Sequence, residues 1–199
     1  MMPIMRKVAG MRADSKRESL DKILEAAARR IRKEGLDGAA IVSVMRDAGL
    51  THGAFYSHFS SKDDLASAAF GRAITTGRRH WIKPMRGESW SERLTGLAKR
   101  YLTTAHRDDL STSCGFATLS SDAAHASDEF KASYERELRG SLAAICDGDD
   151  GRLDDAIALM AICVGGMSLS RAVVDPKFST RILRVAREAA AKLSANRPD

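Results

Sequence analysis

Residues that staple or break a fold are scarce in this chain of 199 residues, which has three cysteines and four prolines. Cys114, Cys146 and Cys163 are odd in number and irregularly spaced. They suggest neither a disulfide framework nor a zinc site, and a reducing compartment suits them. The opening Met1-Met2-Pro3-Ile4-Met5-Arg6-Lys7 lacks the apolar stretch of a signal peptide. The longest uncharged run, residues 156–170, is shorter than the ~20 apolar residues of a membrane span. It also contains Gly165-Gly166, and a buried helix accounts for it better. A soluble, cytoplasmic chain without a membrane partner is expected. Catalytic signatures are missing too: there is no Gly-x-x-x-x-Gly-Lys, His-Glu-x-x-His or Gly-x-Ser-x-Gly. His52 and His58 stand six apart, about 240° around a helix, so they cannot share a metal. No enzyme activity, cofactor or metal is expected.

Positive charge is present and unevenly placed. The net charge is +6; residues 1–80 hold fifteen Lys/Arg against nine Asp/Glu, so they carry the whole excess. Such a segment suits a polyanion, DNA being the simplest, through counterion release; a basic solvated surface is the bland alternative.

Within that segment, Ser15-Lys16-Arg17-Glu18 fits a capping box. Leu20, Ile23, Leu24, Ala27 and Ile31 then trace one helical face, predicting a helix over 16–34 that stops at Gly35, with Leu36 folding back. Ile41, Val44, Met45 and Ala48 predict a second helix over 41–48, ended by Gly49 and Leu50. Thr51 is a fitting N-cap for a third, over 52–59. Two short helices joined by a glycine turn make a helix-turn-helix. Phe55 and Phe59 share the inward face of the third helix, which leaves His52, Gly53, Tyr56 and Ser57 away from it. Gly53 and Ala54 fill a core poorly, but they permit close approach to a major groove. Ser61 opens a fourth helix whose first turn holds Asp63 and Asp64, favoured by the macrodipole, and Lys62, which opposes it. A phosphate at that end would accommodate the lysine; a solvated lysine is the alternative.

The run Ala48-Gly49-Leu50-Thr51-His52-Gly53-Ala54-Phe55-Tyr56-Ser57-His58-Phe59-Ser60-Ser61-Lys62-Asp63-Asp64-Leu65, with Ile23-Leu24-Glu25-Ala26-Ala27 and Gly35 before it, resembles the DNA-binding domain of the tetracycline-repressor (TetR) family. The likeness covers about a quarter of the chain. It implies that Thr51, His52, Gly53 and Ala54 meet bases or nearby phosphates. Tyr56, His58 and Lys62 would meet phosphate. Ala39-Ala40 departs from the family's Thr or Ser before the second helix, a loss that Ser43 replaces only in part. Arg6, Lys7 and Arg12 could form a basic arm on DNA, or a flexible solubilising terminus.

Beyond this, helical periodicity dominates. Leu94 to Leu102, Phe130 to Ile145, Ala156 to Met167 and Ile182 to Leu193 each mark a helix. Asp147-Gly148-Asp149-Asp150-Gly151 and Asp175-Pro176 break the chain between helices. The expected fold is all-α, about nine helices: a flexible basic arm over 1–14, a three-helix helix-turn-helix domain over 15–62, and a helical ligand-binding and dimerisation bundle over 63–199, joined by the helix from residue 62. The 156–170 helix is apolar nearly all round and needs cover on more than one side, from a second subunit or within one. Trp81, Trp90, Tyr101, Phe116 and His106 could line a pocket or be plain core.

The expected partners are double-stranded DNA with a palindromic operator, a second copy of the chain, and an unidentified small-molecule effector that releases the repressor. One alternative is a DNA-binding regulator or architectural protein controlled by a protein partner. Another is control by modification of Cys114, which in Ser113-Cys114-Gly115-Phe116 resembles a cysteine of an electrophile-sensing branch of the family. A small buried hydrophobe is the competing reading of that cysteine.

Overall fold

The computed structural model describes residues 3–83 and 86–193, with side chains from residue 13 onward. Its described residues form ten α-helices and two 3-10 turns, with no β-strand, so the chain is all-α as expected. In order these are α1 (Pro3–Glu34), α2 (Ile41–Asp47), α3 (His52–Phe55), α4 (Lys62–Trp81), α5 (Trp90–Tyr101), α6 (Thr104–Asp108), α7 (Gly115–His125), α8 (Asp128–Cys146), α9 (Leu153–Ala172) and α10 (Pro176–Ala190).

Several local expectations need correction. The first helix begins at Pro3, not near residue 16, so Ser15 sits inside α1 and caps nothing. Proline suits the first helical turn, and Gly10 alone is too weak a breaker to stop the helix between Pro3 and Ser15. The backbone of 3–14 therefore continues α1 in place of a loose arm; the side chains of Arg6, Lys7 and Arg12 lie outside the described residues. Glu18 pairs with Lys22 at 2.7 Å, one turn on. The capping box found is at Ser89 and Glu92, opening α5. The third helix is a single α-turn: Ser57 Oγ donates to Ala54 O at 2.7 Å, and His58 N–H reaches back only to Phe55 O. A hydroxyl bonded to a nearby carbonyl offers the backbone an alternative to continued helical pairing.

Both expected glycine stops appear, with φ of +70° at Gly35 and +68° at Gly49. At the second, Leu50 N–H donates to Met45 O and Gly49 N–H to Arg46 O, completing the Schellman pattern. At the first, Leu36 N–H instead donates to Asp122 Oδ2 of α7 at 2.8 Å, so a side chain from the bundle finishes α1.

The core runs without interruption from the helix-turn-helix into the bundle. Ile23, Ile31, Val44, Met45, Phe55 and Leu65 are buried with Phe70, Phe116 and Phe130 in one cluster. Phe70 lies edge-on to Phe116 at 5.6 Å and stacks on Tyr134 at 5.3 Å. A second cluster holds Leu94, Leu97, Tyr101, Leu142, Leu159 and Met167; Cys114, Leu138 and Met160 touch both. Arg93, fully buried, ties α5 to the end of α8 by donating to the carbonyls of Ala144 and Ile145. Arg32 makes a further join, donating to Ser111 O at 2.6 Å.

Helix α9 has the length and apolarity of a membrane span, yet it packs against α5, α7, α8 and α10. Only 33% of its most apolar window is buried within the chain. Ile157 and Leu169 of α9 are exposed, as are Phe178 and Val185 of α10. The helix expected to need cover on more than one side thus keeps an uncovered apolar face within one chain.

Candidate nucleic-acid interface and the cavity behind it

The residues expected to meet DNA converge on one end of the molecule, carried by α2, α3 and the start of α4. Phe55 and Phe59 stack at 5.7 Å and anchor the third helix inward. Thr51, His52, Gly53, Tyr56, Ser57 and Lys62 are exposed, while Ser43, Ala54 and His58 are half-buried. Tyr56, 65% exposed, meets the ring of His52 edge-on at 5.6 Å, so two residues four apart present a pre-formed surface. A Cβ on Gly53 would meet nothing within 4 Å, so no internal contact demands a glycine there. Thr51 occupies the N-cap position with extended backbone, but its side chain makes no capping bond. Ala40, before α2, caps nothing either, in keeping with its missing hydroxyl.

Ser61 caps α4 by accepting from Asp64 N–H at 3.0 Å, and Asp64 in turn accepts from Ser60 N–H. Lys62 finds only the fully exposed Asp37, at 3.8 Å. An exposed pair of that length is worth little, so the ammonium is available to a stronger anion.

His58 departs from the rest. Ser19 Oγ donates its single proton to Lys16 O at 2.9 Å, so the 2.8 Å contact between Ser19 Oγ and His58 Nε2 requires Nε2 to be the donor. Burial, with Lys16 nearby, lowers the pKa of His58 from its usual value. A neutral His58 therefore ties the recognition segment to α1, and the nitrogen that donates is already engaged.

Behind this end, a cavity of about 60 Å³ lies between α4, α5, α8 and α9. Trp81, Tyr101 and Phe116 line it, as the sequence suggested; Trp90 and His106 do not. Trp90 donates to Asp155 at 2.8 Å, away from the cavity. His106 stands behind, its ring 3.9 Å from Trp81 and 4.7 Å from Tyr101. Gly77, Arg78, Leu159 and Met160 also line it and escaped sequence reasoning; a glycine inside an amphipathic helix was the available signal. Arg78 is paired, donating from Nη2 to Glu137 Oε2 at 2.8 Å and from Nε to Ser141 Oγ at 3.1 Å. The Tyr101 hydroxyl is buried without a hydrogen-bond partner of normal geometry.

Cys114 borders the same cavity as the N-cap residue of α7. Burial raises its pKa, against smaller opposing pulls from the Tyr101 hydroxyl and the amides of Ala117 and Phe116. The protonated thiol predominates at neutral pH, whereas reaction with electrophiles uses the thiolate. Among the described residues no cluster of His, Cys, Asp or Glu could hold a metal.

A helix-turn-helix on an all-helical bundle defines a DNA-binding regulator. Residues 23–69 match the model of the bacterial regulatory proteins, tetR family. It is 28% identical over 121 residues to an uncharacterized HTH-type transcriptional regulator, YvdT of Bacillus subtilis. That match takes in 58% of this chain and 59% of the relative, less than two thirds of its length. The fold is similar to that of Escherichia coli NemR in the reduced form (TM-score 0.72, 17% identity, 86% of this chain and 94% of that one). A TetR regulator from Chloroflexus aurantiacus is similar too (TM-score 0.71, 17% identity, 92% and 98%).

Proposed function

We propose that two copies of the chain act as a repressor, gripping a palindromic operator through α3 and the start of α4, and releasing it when a small molecule fills the cavity. The observation that carries this reading is the span of α4. Lys62 begins it at the DNA-facing end, and Gly77, Arg78 and Trp81 form cavity wall near its other end. Twenty residues make a rod of about 30 Å, so displacement at one end tilts the other. Thr51, His52, Gly53 and Ala54 would read the groove; Ser43, Tyr56, Ser57 and Lys62 would hold phosphates, with His58 bracing them from behind.

The uncovered faces of α9 and α10 support the dimer. Leu169, Phe178 and Val185 border one shallow apolar groove, where a symmetry mate can supply the missing cover. Two recognition helices about 34–36 Å apart in such a two-fold dimer would match successive major grooves. A ligand shifts the balance only by binding the released state more tightly.

The test is a gel-shift assay on fragments selected from the source genome, followed by addition of small apolar compounds. Retention of a palindromic fragment and its release by one of them is expected. Failure to retain any fragment at low salt would sink the DNA reading, and retention unaffected by every compound would sink the release mechanism.

A further inference from the structure

Cavity shape and chemistry narrow the class of ligand, granted the reading above that the cavity is the effector site. We infer that it takes a small, uncharged, largely apolar molecule bearing one hydrogen-bonding group that pairs with the Tyr101 hydroxyl, and that Gly77 sets how large the molecule can be.

Three observations converge. The lining is almost wholly apolar, and its one charged member, Arg78, is neutralised by Glu137. A charged ligand would therefore lose its hydration without gaining a free counter-charge, a heavy cost. Arg171 also has a buried nitrogen without a partner, but it does not line the cavity; its other nitrogens hold Ser113 and the carbonyls of His106 and Arg107. Among lining groups, the hydroxyl of Tyr101, a residue only 7% exposed, is the weakly satisfied one: its neighbour is the Cys114 thiol, a poor hydrogen-bonding group, and no oxygen or nitrogen partners it. Buried hydroxyls normally have a good partner, so one left with a thiol in a cavity wall marks where a ligand's polar atom belongs.

Gly77 supplies the third. It lies inside α4, where glycine destabilises relative to alanine, and a Cβ there would meet nothing within 4 Å. Gly115 and Gly166, by contrast, stand against neighbours that a Cβ would press, at 3.2 Å and 2.8 Å. Neither packing nor backbone angle calls for the glycine at 77, so what it preserves is space. At about 60 Å³ the cavity is still smaller than the roughly 150 Å³ engineered cavity that accepts benzene. Occupancy by even a single ring must push the walls apart, and the wall without a side chain belongs to α4.

Calorimetric titration of the full chain, without DNA, with phenol, toluene and benzoate at pH 7.5 tests this. Phenol and toluene should bind saturably, and benzoate at least about 100-fold more weakly. Tyr101→Phe should cut the preference for phenol over toluene about five- to tenfold. Gly77→Ala should raise the melting temperature by about 2–4 °C yet weaken both neutral compounds. Absence of binding by all three, benzoate binding as well as phenol, or an unchanged preference in Tyr101→Phe would each overturn the inference. Because Gly77→Ala adds stability, weaker binding in it cannot come from misfolding; equal binding in it overturns the role of Gly77. If the compounds bind as expected but none releases DNA in the gel shift, the ligand class stands and the release mechanism fails.

Discussion

Nε2 of His106 accepts the backbone N–H of Cys114 at 3.1 Å, which leaves Nδ1 as the nitrogen that donates to Tyr101 O at 2.8 Å. A protonated ring would have two donors and would lose the Cys114 bond. Burial is the larger reason its pKa falls from 6.5 to about 4. The folded value lies below the unfolded one, so the stability this histidine contributes is complete above about pH 6.5. It is lost as the pH falls through the window down to about 4. Urea denaturation across that window should show stability falling with acid. In His106→Gln that slope should drop by close to one proton. An unchanged slope would rule out the neutral, doubly bonded ring. Asp109, held down to about 2 by Ser111 and Thr112, loses its contribution only below about 3.8 and does not confuse the reading.

The exposed recognition residues should behave differently from the one behind them. Tyr56→Ala and Lys62→Ala should leave stability within about 0.5 kcal/mol while weakening DNA binding. Lys62→Ala should also reduce the salt slope of log K by about one. Fluorescence anisotropy at several salt concentrations measures this. Parent-like affinity and slope in the double variant would remove these residues from the interface.

His58→Ala should instead cost about 1–2 kcal/mol with no DNA present, because it removes both the bond to Ser19 and half-buried ring packing. Thermal unfolding without DNA separates the two roles. A His58→Ala protein as stable as the parent would return His58 to direct phosphate contact.

Asp122 holds Leu36 N–H across the join between α7 and the end of α1. Asp122→Ala leaves a part-buried donor unpaired and should cost about 1–3 kcal/mol, while Asp122→Asn, which keeps an acceptor, should recover much of that. Gly35→Ala should be harmful for two reasons, its φ of +70° and a Cβ only 2.6 Å from Asp122 Oδ2. Denaturant midpoints that fail to move in Asp122→Ala would show the join to be idle.

Leu169→Arg, and separately Val185→Glu, should yield monomers in analytical ultracentrifugation and lose most operator affinity. The folded monomer should persist, since both side chains already face solvent within one chain. Dimers that withstand both changes would place the interface elsewhere.

Much of this was legible where local rules and tertiary needs agree. Gly49 and Leu50 mark a turn that backbone sterics alone demand, and Phe55 with Phe59 marks an inward face. Helix α7 was missed because Ser120, Ser121 and Asp122 interrupt its apolar period, leaving Phe116, Leu119 and Ala123 as its buried residues. Ser15 and Glu18 satisfy a capping pattern, but the residues before them also favour helix, and continuation won. The resemblance implies phosphate contact for His58, whereas its position three after Phe55 gives it a share of the inward side. Nothing local could reveal that Asp122 would finish α1, a contact across 86 residues of sequence.

Because Phe70, Phe116 and Phe130 join the floor of the recognition end to the bundle in one packed cluster, the DNA-reading head is not a detachable module. Severed after residue 62, it would bare the undersides of Ile23, Ile31 and Phe55 to water and lose the cover of Leu65 and Phe70. Moving the recognition surface onto another regulator would therefore mean grafting a few side chains, not exchanging a domain.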